Sequence, residues 1–373
     1  MWRFGGLAAA LRPAVRSVPI YRDTRYSFAE RAADLVSRLT LAEKVLQLRT
    51  TSAPAIPRLG VQQYAYSNEG QHGINSLGAN TDHGDVSGGV HATSFPTNFA
   101  SSMSWDPGLL HAEATAISDE ARGLLDKSLW GIGQNNLGPL PTNYGCLTYW
   151  APTVNLDRDP RWGRTDEAFG EDPYLAARMA EAFVNGYQGQ DLDGTSLVGY
   201  LKAAATGKHY ALNNVEVNRT GVSSDADDRS LREYYLKQFQ GLIEHAHVAG
   251  LMTAYNAING TPAVADTYTV NQIAQRTFGF TGYVTSDCGA VGTTYRRFPA
   301  GHDWAPPGWS TDHKGDTATW TNTATGTRIA GAAGGQAYAL RAGTHLNCLG
   351  GEANLATIDR AKDAYQAALE LGK

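Results

Sequence analysis

The chain has 373 residues and a formal net charge of −5, and its lysines and arginines form no long basic run. A nucleic-acid surface is therefore not expected. Hydrophobic residues make up 42% of the sequence and aromatic residues 10%, values typical of a globular protein with a sizeable core. No apolar run approaches the roughly 20 residues that a membrane-spanning helix needs, so no membrane partner is expected either.

Residues 1–25 are expected to form an N-terminal extension. Its apolar patch runs only from Phe4 to Leu11, and Arg12 and Pro13 interrupt it. A secretory signal needs a longer apolar region, so this stretch is a poor match and is at most a signal remnant. Residues 26–373 contain no linker or internal repeat and are expected to form one domain.

The three cysteines, Cys146, Cys288 and Cys348, form neither a CxxC pair nor an even set. Neither a zinc site nor a disulfide framework is indicated, and the cysteines fit either a reduced interior or a single pair. No HxxxH or HxH spacing supports another metal. We therefore expect no metal and no other cofactor.

Helical and extended patterns alternate along the chain. Apolar residues three and four apart predict an amphipathic helix from Phe28 to Leu48. Further helices are predicted over residues 108–124, 174–187, 230–245, 270–276, 336–343 and 352–373. Strands that run into loops are predicted in VQQYAYSNEG, LTYWAPTVNLDRDPRWGR, LKAAATGKHYALNN, VAGLMTAYNAING, TGYVTSDCGA and THLNC. About eight alternating units predict an α/β fold with parallel pairing, of the (beta/alpha)8 TIM-like barrel class.

One long segment interrupts this alternation. Residues 296–335 are polar and rich in Gly, Thr and Trp. Loops of this length are usually functional or disordered, so the segment is predicted to be a surface loop or a lid.

Polar and charged residues recur where a predicted strand gives way to a loop. They are Glu69, His72, Arg158, Asp159, Arg161, Arg164, Lys208, His209, Tyr255, Asn256 and Asp287. In a (beta/alpha)8 barrel these ends all face one side, where the loops build the active site. Each residue has a structural alternative: a surface salt bridge for Arg164, a satisfied core histidine for His209, and a helix cap for Asp287. Such residues at five separate strand ends favour a site.

The residue types indicate a ligand with several hydroxyl groups. Carboxylates, arginine, lysine and histidine can grip hydroxyls through charge-assisted hydrogen bonds. Trp150, Tyr66 and Tyr255 can offer flat apolar faces to a sugar ring, although core packing is their commoner use. A carboxylate beside positive charge stays ionised, as a nucleophile must.

Six stretches, in this order, resemble the barrel domain of glycoside hydrolase family 3. They are RAADLVSRLTLAEKVLQL, SNEGQHGI, APTVNLDRDPRWGRTDEAFGEDPY, GKHYALNN, LMTAYNAINGTP and GYVTSDCGAV. The resemblance implies that Asp287 is the catalytic nucleophile and that Glu69 contacts the sugar in the cleaved subsite. It also implies sugar-binding roles for Arg164, Lys208, His209, Tyr255 and, as a less certain member, Arg219.

The implied reaction is retaining hydrolysis through a covalent glycosyl-enzyme, with two carboxyl groups ~5–5.5 Å apart. Glu69 ahead of His72, Cys288 after the nucleophile and LNC at 346–348 are similar to the xylan beta-xylosidase branch. The implied substrates are xylo-oligosaccharides or aryl glycosides that carry a terminal beta-linked xylose, and a beta-glucosidase is the alternative. This substrate class implies an extracellular location.

The chain also departs from the family pattern. Two-domain members carry the acid/base glutamate in a C-terminal sandwich domain, which is expected to be absent here because the chain ends at Lys373. Single-domain members use an Asp-Ser-His loop that this sequence lacks, and Asp225, Asp227 and Asp228 are interpreted as a helix cap and first turn. His345 replaces the usual aspartate. Barrel surface left uncovered is expected to promote self-association.

Three hypotheses follow from these observations. The first is a family 3 beta-glycosidase whose recorded chain is incomplete or of low activity. The second is a truncated, non-catalytic sugar-binding barrel that lacks the acid/base. The third is an unrelated barrel, such as a metal-dependent enzyme that uses His72 and His209.

Overall fold

The structure is a computed structural model that describes residues 18–50, 53–74, 92–123, 146–315 and 317–353. The chain divides into two compact units, Met1–Lys44 and Val45–Lys373. Within the described ranges, no helix has both the length and the apolar character that crossing a bilayer requires. Residues 1–17 of the predicted extension and nearly all of the predicted helix over 352–373 lie outside the described residues.

Five α-helices come first, and the strands begin at Thr206 and are interspersed with helices from there on. The segments predicted as strands at 61–70 and 147–164 form isolated bridges only. The α-helices are α1 Phe28–Arg38, α2 Leu41–Leu46, α3 Asn98–Ser102, α4 Pro107–Gly123, α5 Pro173–Gln188, α6 Asp228–Ser230, α7 Lys237–Glu244, α8 Ala290–Thr293 and α9 Gly331–Ala342. The strands are β1 Thr206–Tyr210, β2 Ser223–Ser224, β3 Gly250–Thr253, β4 Ala257–Ile258, β5 Thr261–Pro262, β6 Tyr283–Ser286, β7 Trp309–Lys314, β8 Thr317–Asn322 and β9 Arg328–Ala330. Two π-helical segments cover Leu231–Tyr235 and Tyr268–Thr277.

The first predicted helix is two helices, so that prediction was wrong at its middle. The Ser27 hydroxyl and the Glu30 carboxylate cap each other's backbone N–H groups and start α1. Leu39 then adopts an extended conformation, and a second reciprocal pair, Thr40 and Glu43, starts α2. The sequence carries the capping-box pattern twice, as SFAE and TLAE, and the second copy restarts the helix.

The second unit contains a parallel sheet with the strand order β1-β3-β6. In its register Lys208 pairs with Met252, and Met252 pairs with Thr285. Further parallel bridges join Arg49 to Asn347, Thr148 to Ala204, Thr153 to Lys208 and Thr285 to Leu346. The prediction of an α/β fold with parallel strands is confirmed. Because the strands run in one direction, their carboxyl ends lie at one edge.

Helices α4, α5 and α7 pack in the main hydrophobic core. Phe183 and Tyr187 of α5 stack with ring centroids 5.5 Å apart, and Phe239 of α7 packs edge-on against Tyr210 of β1. Helix α4 approaches α5 closely at Gly186, where a Cβ atom would collide with the His111 carbonyl oxygen. This packing fixes β1, and with it the residues at its carboxyl end.

The long polar segment forms an antiparallel sheet, so its prediction as a loop or lid was wrong. Strand β8 pairs with both β7 and β9. Trp309 of β7, Trp320 of β8 and Ile329 of β9 form a buried cluster. Trp304 and Tyr338 pack edge-on against Trp320. Threonine-rich strands satisfy β-propensity as well as polarity, and the tryptophans on one face supply the burial.

We expect Gly334→Ala to destabilise the protein, although alanine favours helix. A Cβ atom at this position of α9 would collide with the buried Trp320 ring, and overpacking of this kind costs about 1–3 kcal/mol. Gly123→Ala in α4 is the matched control, because no atom of the residues that the structure describes lies within 4 Å of its Cβ position. Urea unfolding should show a lower midpoint for Gly334→Ala only. Equal midpoints for both variants would contradict the packing described.

Candidate functional site

The carboxyl end of β1 carries a buried ion pair. The Lys208 ammonium lies 3.3 Å from the Glu69 carboxylate, and both side chains are almost fully buried. A buried charge is costly unless it is paired, so each residue requires the other. The sequence predicted both residues as part of one site, and the structure brings them together across 139 positions of the chain.

His209 connects Arg164 and Asp287. Its Nε2 atom lies 3.2 Å from Arg164 Nη1 and 3.6 Å from the Asp287 carboxylate. Burial, followed by the charges of Arg164, Lys208 and Arg219, holds the pKa of His209 well below its usual value. The imidazole is therefore neutral, and its Nε2 accepts a hydrogen bond from Arg164.

Asp287 directly follows β6, and its side chain is 14% exposed. Its backbone N–H donates to the Thr253 carbonyl, and the Cys288 N–H donates to its carboxylate at 2.7 Å. Burial raises the pKa of Asp287. The Cys288 amide and the charges of Arg164, Arg219 and Lys208 act in the opposite direction and favour the carboxylate.

Tyr255 and Arg219 form the next part of the site. The Arg219 guanidinium lies over the Tyr255 ring, 4.7 Å from its centroid, and pairs with Glu216 at 2.8 Å. The Tyr255 hydroxyl donates to the Cys288 carbonyl at 2.6 Å. Burial and then the charge of Asp287 raise the pKa of Tyr255, so its phenol stays protonated and remains a donor. The seven predicted site residues therefore lie in one contiguous set of contacts.

Sequence reasoning missed two residues that hold this set in place. Asn155 binds His209 at three atoms: it accepts from the backbone N–H at 2.8 Å, lies 3.3 Å from Nδ1, and donates to the carbonyl at 2.9 Å. Glu167 binds Arg164 through two bonds of 2.6 Å. Burial alone would raise the pKa of Glu167, but the paired Arg164 lowers it. Glu167 stands three residues after Arg164, a spacing that could have indicated the pair.

Cys288 and Cys348 form a disulfide, and their Cα atoms are 4.4 Å apart. The sequence left this single pair open as one of two alternatives. Both cysteines belong to an apolar cluster with Trp150 and Met252. This cluster, hereafter the apolar wall, includes the residue that follows Asp287, and the Cys288 N–H is its contact with the carboxylate.

The metal-dependent alternative has no support from the described residues. His72 Nδ1 lies 3.1 Å from the Phe95 carbonyl, whereas His209 contacts Arg164. In the ranges that the structure describes, no group of three His, Cys, Asp or Glu residues could hold a metal ion. Asp227 caps α6 by accepting from the Ser230 N–H, as interpreted from the sequence.

Asp157 lies at the base of the loop that carries Arg164. Its backbone N–H donates to the Gly170 carbonyl, and its carboxylate accepts from the Gly170 N–H, so the loop is closed at both ends. Burial raises the pKa of Asp157 to about 7, and the nearby charges of Asp166 and Glu171 add to the rise. Its charge state therefore changes near neutral pH.

The sequence of this chain is similar to those of known glycoside hydrolases. The family model for the glycosyl hydrolase family 3 N-terminal domain matches residues 141–300. The chain is 38% identical over 278 residues to a probable beta-D-xylosidase 7 of Arabidopsis thaliana, covering 73% of this chain and 34% of the relative. It is 33% identical over 299 residues to a xylan 1,4-beta-xylosidase of Xylanibacter ruminicola, covering 80% and 32%.

A solved structure is similar over nearly the whole chain. It is a family 3 exo-beta-xylosidase in complex with a xylobiose aziridine activity-based probe, with a TM-score of 0.70 and 26% identity, covering 95% of this chain and 39% of that one. Fold and site thus define an α/β protein with paired charges at the carboxyl ends of parallel strands. The chain belongs to glycoside hydrolase family 3, which confirms the resemblance of its six stretches. It spans about a third of the length of the curated relatives it matches.

We expect Asp157→Asn to stabilise the protein at pH 8. The folded-state pKa of Asp157 is raised, so the wild type loses stability as the pH rises from about 4 to about 7. Asparagine keeps the acceptor for Gly170 without the charge, and the gain is about 1 kcal/mol after allowance for partial exposure. Urea unfolding at pH 5 and pH 8 measures it. An advantage at pH 8 that does not shrink at pH 5, or that the exposed Asp312→Asn also gives, would contradict the assignment.

Removal of the disulfide should destabilise the protein. The two cysteines are 60 residues apart, and closing a loop of this length typically contributes about 2–4 kcal/mol. The double variant Cys288→Ser/Cys348→Ser should unfold at lower urea concentration than the oxidised wild type. The reduced wild type is the matched control and should unfold with the variant. Insensitivity of the wild type to reductant would count against the disulfide.

Proposed function

We propose that this chain is the barrel domain of a retaining beta-glycosidase that releases terminal beta-linked xylose from xylo-oligosaccharides. The observation that carries the proposal is the Asp287 carboxylate at the end of β6, surrounded by Arg164, Arg219 and Lys208. Relatives named as beta-xylosidases, at 33–38% identity, support the same substrate class. These relatives are about three times as long as the matched region, so the proposed activity is that of a full-length family member.

We further propose that the strands of Val45–Lys373 close into a (beta/alpha)8-type barrel, the main part of the domain predicted over residues 26–373. Support comes from hydrogen bonds between successive extended segments. They run from Tyr66 to Thr50, Trp150 to Asn68, Tyr149 to Ala204, Val154 to Lys208, Ser286 to Leu346 and Asn347 to Leu48. Together with the sheet β1-β3-β6, these contacts link segments from Leu48 through to Asn347 and back.

In the proposed reaction, an Asp287 oxygen attacks the anomeric carbon of the terminal sugar. The bond from that carbon to the leaving oxygen breaks, and the leaving oxygen takes a proton from a second carboxylic acid. Water, deprotonated by the same group, then attacks the anomeric carbon and frees Asp287. The cations around Asp287 favour its ionised form before the attack.

The remaining residues of the site would bind sugar hydroxyls. Lys208 carries three N–H donors and Glu69 is an acceptor, so their pair can hold adjacent hydroxyls from both sides. Arg164 is oriented by two bonds to Glu167, which leaves its third nitrogen directed at His209. These groups are fixed before the sugar arrives, which is how a site is preorganised.

The general acid in this proposal lies outside the described cluster. Glu69, Glu167 and Glu216 are each committed to an ion pair, with Lys208, Arg164 and Arg219 respectively. A carboxylate held in an ion pair is a poor candidate for the general acid, and for Glu167 the paired Arg164 also lowers the pKa. A separate carboxyl group is therefore required for natural substrates.

The apolar wall supports xylose over glucose. A glucose unit carries a hydroxymethyl group that xylose lacks, and burying its hydroxyl against sulfur and hydrocarbon leaves it without a hydrogen bond. One such group gives modest discrimination, roughly 10–200-fold. A beta-glucosidase therefore remains the second candidate.

We expect a dinitrophenyl 2-deoxy-2-fluoro-beta-xyloside to add one fluoroxylosyl unit to the chain, measured by intact mass. The dinitrophenolate leaves without protonation, so the test does not depend on the acid. Asp287→Asn should abolish the adduct, because an amide oxygen is a poor nucleophile, whereas the exposed Asp312→Asn should label like the wild type.

The corresponding fluoroglucoside decides the sugar. If the fluoroglucoside labels the chain more slowly than the fluoroxyloside, the proposal of a xylosidase is supported. If it labels the chain faster, the proposed activity becomes that of a glucosidase. A folded chain that labels with neither sugar, yet still binds xylotriose, would instead be a sugar-binding barrel without catalysis.

A further inference from the structure

A groove of about 660 Å³ lies outside the cluster around Asp287. One side of it is apolar and is formed by Phe99, Met103, Trp105 and Leu175. Trp105 is 73% exposed, and Phe99 and Met103 are also exposed. Tryptophans are rarely so exposed, and here three large apolar side chains at the end of α3 face one groove.

Trp105 is held in this position by the backbone. It adopts a left-handed conformation with φ of 57°, which bulky residues seldom adopt. Its N–H donates to the Ser102 carbonyl at 3.1 Å, and the next N–H, of Asp106, donates to the Ser104 hydroxyl. The turn after α3 thus fixes the backbone from which the indole extends.

The lining of the groove is also acidic, because Asp157, Glu171 and Asp172 belong to it. One Asp157 oxygen accepts from the Gly170 N–H, while the other, Oδ1, is buried and has no hydrogen-bond partner among the described residues. Because Oδ1 is buried, the carboxylates that a ligand in the groove can reach are those of Glu171 and Asp172, which are exposed.

The groove and the reaction site share the loop that carries Arg164. Arg164 contacts His209 and Glu167, whereas Thr165, the next residue, lines the groove. None of the seven residues assigned to the reaction site lines it. The groove is therefore a second site that shares one loop with the first.

We propose that this groove binds a xylo-oligosaccharide away from the reaction site. A pyranose ring has an apolar face that stacks on an aromatic side chain, here Trp105, and hydroxyls at its edge that donate to carboxylates, here Glu171 and Asp172. The volume of the groove falls within the ~300–1,000 Å³ typical of small-molecule sites. It is larger than the space that the alternative ligand for an aromatic and acidic groove, a single ammonium group, would fill. The choice of xylose units rests on the proposed function, whereas the groove itself does not.

Calorimetric titration of xylotriose tests this second site. All variants carry Asp287→Asn, which prevents turnover. The parent should bind two xylotriose molecules per chain, one at each site. Adding Trp105→Ala should weaken the groove site at least about tenfold and leave one. Tyr174→Ala is the matched control, because Tyr174 is 69% exposed but does not line the groove, and it should leave two.

The outcomes separate the two proposals. If the reaction site fails to bind, the parent binds one xylotriose and Trp105→Ala binds none, which still supports the groove. If Trp105→Ala binds as the parent does, the groove proposal is overturned, whatever fluoroxyloside labelling shows. Binding of benzylammonium but not xylotriose, lost in Trp105→Ala, would overturn the assignment of a sugar. Should Trp105→Ala not fold, Glu171→Ala on the exposed rim replaces it, with an expected loss of about fivefold.

Discussion

The Arg164 guanidinium is the group on which the rest of the site depends. It binds Glu167 through two short bonds and directs a third nitrogen at His209, which in turn lies 3.6 Å from Asp287. A planar guanidinium fixes the direction of every bond it makes, unlike an ammonium group. The loop after residue 157, strand β1 and strand β6 are therefore aligned through one side chain, and the Asp157–Gly170 pair closes the loop behind it.

Burial of so many charged groups is sustained by mutual pairing. Lys208 is paired with Glu69 and Arg164 with Glu167, while His209 stays neutral and accepts. Removing one partner would leave the other charge buried alone, a larger penalty than the pair's own net contribution. The cluster thus behaves as a unit whose members are retained together, and its field at Asp287 results from all of them.

The sequence predicted α4, α5 and the parallel strands β1, β3 and β6, with Lys208, His209 and Asp287 at the strand ends, because a local pattern carries that information. The strands predicted before Thr206 are isolated bridges, so the alternation of helices and strands was overestimated in that half. Asn155 escaped prediction because its contacts reach His209 across 54 residues, and only the folded register determines them. The antiparallel sheet was missed for another reason: alternation along β8 buries Ala318 and Trp320 between threonines, so its composition looked like that of a loop. The second capping box, Thr40 to Glu43, is visible in the sequence. The apolar periodicity on both sides of it predicted one continuous helix instead.

The disulfide joins Cys288, the residue after Asp287, to Cys348 in the segment beside β6. It acts as a clamp, because it closes the residues between the two cysteines into one covalent loop. The antiparallel sheet, with α8 and α9, lies inside that closed loop. Its sequence can therefore change with little movement of the carboxylate at its base. For protein engineering, the exposed positions of this sheet can be changed, whereas Trp320, which packs against Tyr338 and Gly334 of α9, has to be kept.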